Sequence, residues 1–185
     1  AAIFSKSDLT IFGAGSLTVD GKYKDGITSK DGLLLKSGTI ISTAIDDGIR
    51  GKDYLVVEGG TITVNSGGDG LKSDNDANSG VGYILIEDGT IKVTAAGDGI
   101  AAQTSVTVTG GDLDIKTGGG STSIVSGDAS AKGIKGLVNV TLAPATCIIN
   151  SADDAIHSNS KVVINAGTFS LSTSDDAIHA DAEIT

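Results

Sequence analysis

A short word of the form Asp-Gly-Ile recurs seven times along this chain at nearly regular intervals. Successive copies are 22, 22, 29, 34, 22 and 22 residues apart, so the two longer steps are one period plus insertions of seven and twelve residues. The copies begin at Asp25, Asp47, Asp69, Asp98, Lys132, Asp154 and Asp176. A fixed period of this length is typical of a solenoid, in which each repeat is one coil stacked on its neighbours.

Apolar residues fall at the same three places in each repeat. An alternating pair precedes the word, as in Ile62 and Val64, and one apolar residue follows the aspartate by two positions, as in Leu71. A second alternating pair closes the coil, as in Ile84 and Ile86. Alternation with a period of two indicates strands that turn one face inward. We therefore predict an all-β fold, a single-stranded parallel β-helix of about seven 22-residue coils, right-handed because parallel crossovers are.

The repeats leave no linker, so residues 1–185 are predicted to form a single domain. Residues 1–14 are expected to supply an N-terminal cap or a partial coil. The two insertions, Ser73–Gly80 and a stretch within Thr117–Ala131, should be loops, because the apolar columns resume in register after each. The last coil stops in the middle of a third strand, which predicts that another chain or a further segment covers this end.

Charge and cysteine content narrow the classes of partner. A net charge of −10 argues against nucleic acid and anionic membranes, both of which favour a basic face. No stretch is long enough and apolar enough to insert into a bilayer. The single cysteine, Cys147, falls on an inward column and is interpreted as a small buried apolar residue.

Stacking would bring the corner aspartates of successive coils into one column. Like carboxylates about 5 Å apart repel by roughly 3 kcal/mol at an effective dielectric near 20, so the column needs protons, cations or water. Lys132 takes this place in coil five and is a built-in counter-ion. Elsewhere we expect Ca²⁺, which prefers carboxylate, carbonyl and water oxygens. The predicted calcium ligands are Asp25, Asp46, Asp47, Asp69, Asp98, Asp153, Asp154, Asp175 and Asp176.

The acidic and amide side chains also have explanations that do not involve calcium. Asp-Gly is a common turn pair whose carboxylate often caps the local backbone. The first insertion also has oxygen side chains at alternate positions, Asp74, Asp76 and Asn78, like the start of a calcium loop, although a flexible polar loop explains them as well. Two imidazoles and an interior thiol are the only nitrogen and sulfur ligands, which disfavours zinc and copper.

Two further columns are predicted to face outward. Three residues after the column aspartate the chain places Arg50 and Lys72, which form either surface salt bridges or an anion clamp for a ligand carboxylate. His157 and His179 continue this series and are expected to be solvated corner residues. On the third strand, Tyr54 and Tyr83 occupy one column beside an outward apolar line of Leu34, Val56, Leu85 and Val163. This stripe is either a docking face for a flat ligand or a surface covered by the N-terminal segment or a loop.

Repeats of the form Gly-Thr-Ile-x-Val followed by Ser-x-Asp-Asp-Ala-Ile-His, as in Asn150–His157 and Thr173–His179, also resemble a known family. The chain is similar, from Gly15 to Thr185, to secreted bacterial carbohydrate-binding domain proteins with a right-handed parallel β-helix shaped like that of pectate lyases. This resemblance implies calcium along the helix, binding of cellulose or polygalacturonate, and a secreted or cell-surface location.

Three functions follow as expectations. The first is a non-catalytic, calcium-dependent module that binds plant cell-wall polysaccharide. The second is a polysaccharide lyase, for which only Arg50, with Lys52 or Lys72 nearby, could take the proton. The third is a structural or adhesive solenoid whose calcium serves folding alone.

Overall fold

A computed structural model of the chain describes residues 1–125 and 129–185, and within these ranges it contains three parallel β-sheets. Each coil contributes one strand to each sheet, so the chain is a right-handed parallel β-helix, as predicted. No helix long and apolar enough to cross a membrane occurs in the described ranges.

The strands are named in chain order and grouped by sheet. The first sheet contains β1 (Ile3–Ser5), β4 (Ile27–Ser29), β7 (Ile49–Gly51), β10 (Leu71–Ser73), β13 (Ile100–Ala102), β16 (Ile134–Gly136), β19 (Ile156–Ser158) and β22 (Ile178–Ala180). The second sheet contains β2 (Leu9–Ile11), β5 (Gly32–Leu35), β8 (Tyr54–Val57), β11 (Tyr83–Ile86), β14 (Ser105–Val108), β17 (Asn139–Leu142), β20 (Lys161–Ile164) and β23 (Glu183–Ile184). The third sheet contains β3 (Ser16–Gly21), β6 (Thr39–Ala44), β9 (Thr61–Ser66), β12 (Thr90–Ala95), β15 (Asp112–Thr117), β18 (Thr146–Ser151) and β21 (Thr168–Thr173).

The core consists of the predicted apolar columns. In the first sheet the strand pairing stacks Ile27 on Ile49, Ile49 on Leu71 and Leu71 on Ile100, and each of these side chains is fully buried. Fully burying one such side chain contributes about 1.5–3 kcal/mol, so a column repeated through the coils dominates the stability of the solenoid. Cys147 lies in this core, as predicted, and is fully buried.

A glycine with a left-handed backbone directly precedes five of the seven strands of the third sheet. Gly60 and Gly89 have φ angles of 102° and 116°, which residues with a Cβ rarely adopt. Gly111 has φ of 82° and directly precedes β15, so coil five begins ahead of the second insertion. The first coil pairs Ser16 with Thr39, so its register is displaced by one residue from the 22-residue period.

The insertions lie between strands and leave the register of the sheets intact. Residues 74–82 connect β10 to β11, and residues 118–133 connect β15 to β16. Of the second insertion, residues 126–128 lie outside the described residues. The N-terminal residues form β1 and β2, which pair with β4 and β5 as part of a coil.

Candidate functional site

The column aspartates form a hydrogen-bonded ladder at the corner between the third and first sheets. The carboxylate of Asp47 accepts a hydrogen bond from the backbone N–H of Asp69, at 3.0 Å, and that of Asp69 accepts one from the N–H of Asp98, at 2.8 Å. Asp98 likewise accepts from the N–H of Lys132 at 2.8 Å, one coil further. Each carboxylate therefore ties its own coil to the next, which sequence reasoning did not find.

Lysines supply the counter-charge in the middle of the column. Lys72 Nζ lies 3.1 Å from a carboxylate oxygen of Asp47 and 2.9 Å from one of Asp69, so it bridges two coils. Burial alone would lower the pKa of Lys72, but the two carboxylates outweigh it and raise that pKa. Burial raises the pKa of Asp47, against the opposing effect of Lys72.

The Lys132 ammonium forms its ion pairs with the following coil rather than with the preceding one. Its Nζ lies 2.8 Å from Asp153 and 3.0 Å from Asp154, while Asp98 is paired with Lys135 at 3.2 Å. Burial opposes the charged form of all three groups in the Lys132 cluster. The hydrogen bonds nevertheless raise the pKa of Lys132 and lower those of Asp153 and Asp154. The predicted role of Lys132 as an internal counter-ion is confirmed.

The predicted calcium ligands divide into two kinds of environment. Asp25, Asp46 and Asp47 come together, with oxygens within 4.8 Å of one another, and so do Asp153, Asp154 and Asp175. Among the described residues, the lysine ion pairs of the column involve neither Asp25 nor Asp46. Asp25 accepts a hydrogen bond from the Thr28 hydroxyl at 2.8 Å, and Asp46 is exposed. By contrast, Asp47, Asp69, Asp98, Asp153 and Asp154 are all paired with lysines.

The first insertion is anchored by an ion pair that the sequence did not reveal. Arg50 donates two hydrogen bonds to the Asp74 carboxylate, from Nε at 3.0 Å and from a terminal nitrogen at 2.6 Å. Asn78 accepts a hydrogen bond from the N–H of Gly80, and Asp76 is exposed. Of the two interpretations of Arg50 and Lys72, the geometry shows salt bridges within the protein.

The expectation that the two histidines are merely solvated is wrong. Their rings stack with centroids 4.7 Å apart and planes at 15°. His157 Nδ1 lies 2.7 Å from Asp154 and its Nε2 lies 2.9 Å from the side-chain oxygen of Asn159. His179 is held at 3.0 Å on both sides, by Asp176 and Asp181. These hydrogen bonds, that of Asp176 first, raise the pKa of His179.

The predicted tyrosine column is confirmed on the outer face of the second sheet. Tyr54 pairs with Tyr83, and their rings stack at 5.7 Å with planes at 20°. Burial and the nearby Asp8 carboxylate raise the pKa of Tyr54. Beside the rings, Leu34, Val56 and Leu85 lie in register and partly exposed.

The apolar N-terminal residues Ile3 and Phe4 do not cover this apolar stripe, although Asp8 contacts the Tyr54 hydroxyl. Ile3 and Phe4 belong to β1, in the first sheet, rather than to the outer surface of the second. The outer face around Tyr54 and Tyr83 is therefore a flat, mixed aromatic and aliphatic surface, in which equivalent groups repeat every 4.8 Å or so.

One signal in the sequence could have revealed the histidine arrangement. Both histidines follow a column aspartate by three residues, and the two pairs are one period apart. The spacing of the words therefore stacks two identical Asp–His pairs. The Arg50–Asp74 contact has no such signal, because Asp74 belongs to an insertion that occurs once.

Comparisons with known proteins agree with this architecture. Residues 1–177 match the family described as carbohydrate-binding domain-containing protein. A structure described as the polysaccharide lyase-like protein from C. thermocellum, gadolinium derivative, is 35% identical, with a TM-score of 0.62. The match covers 63% of this chain and 47% of that one, so the chain spans about half the length of that protein. No curated protein matches. Since the family match extends over nearly the whole length, the chain belongs to the carbohydrate-binding domain-containing proteins.

Proposed function

We propose that this chain is a non-catalytic, calcium-dependent module that binds plant cell-wall polysaccharide, cellulose or polygalacturonate, outside the cell. The observation that carries the proposal is the outer face of the second sheet, where Tyr54 and Tyr83 stack beside the partly exposed Leu34, Val56 and Leu85. Membership of a carbohydrate-binding family supports a glycan as the ligand of this face.

The shape of the face suits a long polymer better than a single sugar. The β-strands are in register, so side chains of one type form straight lines along the axis of the solenoid. A polysaccharide repeats its sugars along one direction, and a periodic surface can contact several of them in succession. The Tyr54 hydroxyl donates to the Asp8 carboxylate at 3.4 Å, so the partly exposed rings and the aliphatic line beside them would contact the sugars mainly through their apolar faces.

Calcium is proposed at the cluster of Asp25, Asp46 and Asp47. Three carboxylates with oxygens within 4.8 Å of one another match the oxygen preference of the ion, and waters and backbone carbonyls would complete six to eight ligands. Within the described ranges Asp25 and Asp46 form no ion pair with a lysine, whereas Asp47 is paired with Lys72, so two of the three carboxylates are free of a lysine ion pair. Bound calcium would also let an acidic chain accept the carboxylates of an acidic glycan.

The docking face is tested by retention on insoluble glycan. We expect the double variant Tyr54→Ala/Tyr83→Ala to lose most of its retention on cellulose and on polygalacturonate gel, with an unchanged circular dichroism spectrum. Tyr23→Ala is the matched control, because Tyr23 is 85% exposed at a corner away from the stripe. Full retention of the double variant, or equal loss in the control, would remove the face from the proposal.

A lyase is the second candidate, and one surface feature favours it. A cavity of about 360 Å³ lies beside the first strands and is lined by Phe4, Lys24, Lys30, Arg50 and Lys52 together with Ala1, Asp25, Thr28 and Ser29. Lys24, Lys30 and Lys52 could hold a uronate, and one of them in its neutral form could take the proton on the carbon adjacent to the carboxylate while the glycosidic oxygen leaves with a proton from water. The appearance of unsaturated product from polygalacturonate, and its loss in Lys52→Ala, would establish this activity in place of the non-catalytic module.

A further inference from the structure

The aspartate column changes its type of counter-ion in the last two coils. In the position three residues after the column, the middle coils carry Lys72 and Lys135, each bound to a column carboxylate. The last two coils carry His157 and His179 instead. A lysine is charged at neutral pH, whereas an ordinary imidazole titrates near pH 6.5. Imidazole nitrogens, unlike the lysine ammonium, can also serve as metal ligands.

In the last two coils, three side chains that can bind a metal ion lie close together. One ligand atom each of Asp154, His157 and His179 lies within 4.8 Å of the others. The rings are parallel and stacked, so the two Nδ1 atoms lie on the same side, each next to a carboxylate of its own coil. Asp154 is 5% exposed and His157 14%, but His179 is 37% exposed, so an ion has a path from solvent.

We propose that Asp154, His157 and His179 form a site for a borderline divalent transition-metal ion, represented by Zn²⁺ or Ni²⁺. Mixed imidazole and carboxylate ligands suit these ions, whereas calcium prefers oxygen alone. Bonds of about 2.0–2.2 Å require ligand atoms no more than about 4.4 Å apart, so small rotations of the two rings close the site. Each imidazole would bind through a deprotonated Nδ1 and keep a hydrogen on Nε2 toward Asn159 or Asp181, so a doubly protonated ring releases one proton to solvent and a neutral ring only changes tautomer, while water completes the coordination.

The charged side chains around the site are compatible with the binding of a divalent ion. Asp176 and Asp181 flank His179 and offset the added positive charge. Lys132 shares the Asp154 carboxylate with His157, and it keeps its contact with Asp153 at 2.8 Å when an ion takes that oxygen. The site differs from the all-oxygen cluster at Asp25, Asp46 and Asp47, and it does not depend on carbohydrate binding.

The two histidines are 22 residues apart in the sequence, which hides the site from a search for short metal motifs. Stacking of successive coils converts that separation into direct contact of the rings. The proposal departs from the sequence-based expectation against zinc, because two imidazoles and a carboxylate are enough for a three-ligand site.

The test is a Zn²⁺ titration of protein without a polyhistidine tag, followed by imidazole NMR at pH 7. The chain has only two histidines, so each ring is observed separately. We expect both sets of signals to change together and to saturate at one ion per chain, with excess Ca²⁺ leaving the change in place. Independent shifts of the two rings, or a response that does not saturate, would overturn the proposal without recourse to any variant.

Two variants sharpen the result. His179→Asn keeps an amide that can donate to Asp176 but removes the nitrogen ligand, and we expect at least roughly tenfold weaker Zn²⁺ binding by calorimetry. Asp114→Asn removes one negative charge from an exposed pair with Lys92 elsewhere on the rod, so its Zn²⁺ affinity should be unchanged. Equal weakening in both variants would indicate general electrostatic attraction and would contradict a specific site.

Discussion

Removal of the Lys132 ammonium tests the idea that the aspartate column depends on cations. Lys132→Met keeps most of the side-chain volume, removes the lysine from Asp153 and Asp154 at 2.8 and 3.0 Å, and leaves Asp154 with His157 alone as a side-chain partner among the described residues. The three side chains are 14%, 18% and 5% exposed, so solvent compensates only in part. The lost interaction is therefore stronger than that of a surface pair.

The expected loss in the free energy of unfolding lies between the values for exposed and for buried ion pairs. Exposed ion pairs contribute about 0–1 kcal/mol, and breaking a fully buried pair costs about 3–5 kcal/mol. For this intermediate burial we expect Lys132→Met to lower the free energy of unfolding by about 2–3 kcal/mol. In a chain of 185 residues that loss corresponds to a melting temperature about 4–12 °C lower.

The pH dependence of this difference has a definite sign. The folded-state pKa values of Asp153 and Asp154 are lowered, so their stabilisation is present above the ordinary carboxyl pKa and is lost as pH falls through the folded values. The pKa of Lys132 is raised, so its stabilisation is present below the ordinary lysine pKa and is lost only as pH rises through the raised value. The difference between wild type and variant should be full near pH 7 and should shrink in acid.

Urea unfolding, followed by circular dichroism near pH 7 and near pH 3, measures both quantities. Lys92→Met is the matched control, because the Lys92–Asp114 pair is 60% and 51% exposed and should contribute no more than about 1 kcal/mol. The reasoning is refuted if Lys132→Met costs less than about 0.5 kcal/mol near pH 7, or if its cost equals that of the control.

Three further changes have definite expected outcomes. Gly70→Ala would place a Cβ 2.3 Å from Val93 and 2.5 Å from the Gly99 carbonyl, so it should cost about 1–3 kcal/mol in urea unfolding, and an unchanged midpoint would contradict the packing. Burial raises the pKa of the Cys147 thiol to about 12, so the native chain should resist thiol reagents near pH 8 and react only when unfolded. Asp46→Asn should reduce the rise in melting temperature caused by Ca²⁺ and leave the value in chelator nearly unchanged; an undiminished rise would exclude this cluster.

The fold could be predicted because a solenoid repeats one local rule. Once the 22-residue step is known, residues such as Ile49 and Leu71 must stack, and strand pairing places them as expected. The same rule predicts that Tyr54 lies next to Tyr83 and that Lys132 replaces an aspartate. Each of these contacts follows from register alone, which the insertions do not disturb.

Contacts that depend on side-chain rotamers or on single-copy loops could not be predicted. The period places Lys72 between two column aspartates, but only its rotamer decides that it bridges both. Arg50 reaches Asp74 because the first insertion folds back toward β7, a path that no repeat encodes. The calcium ligands stay a prediction, since charge repulsion requires cations without specifying which of them are lysines.

The most direct test of the proposed function is equilibrium binding of the wild-type chain to soluble polygalacturonate and to cellulose, first in Ca²⁺ and then after chelation. Circular dichroism and the absorbance of unsaturated product would be recorded on the same samples. We predict saturable binding in Ca²⁺, loss of binding on chelation while the β-sheet spectrum persists, and no product. Binding that is equally strong after chelation, or absent from both polymers in Ca²⁺, would contradict a calcium-dependent polysaccharide-binding module.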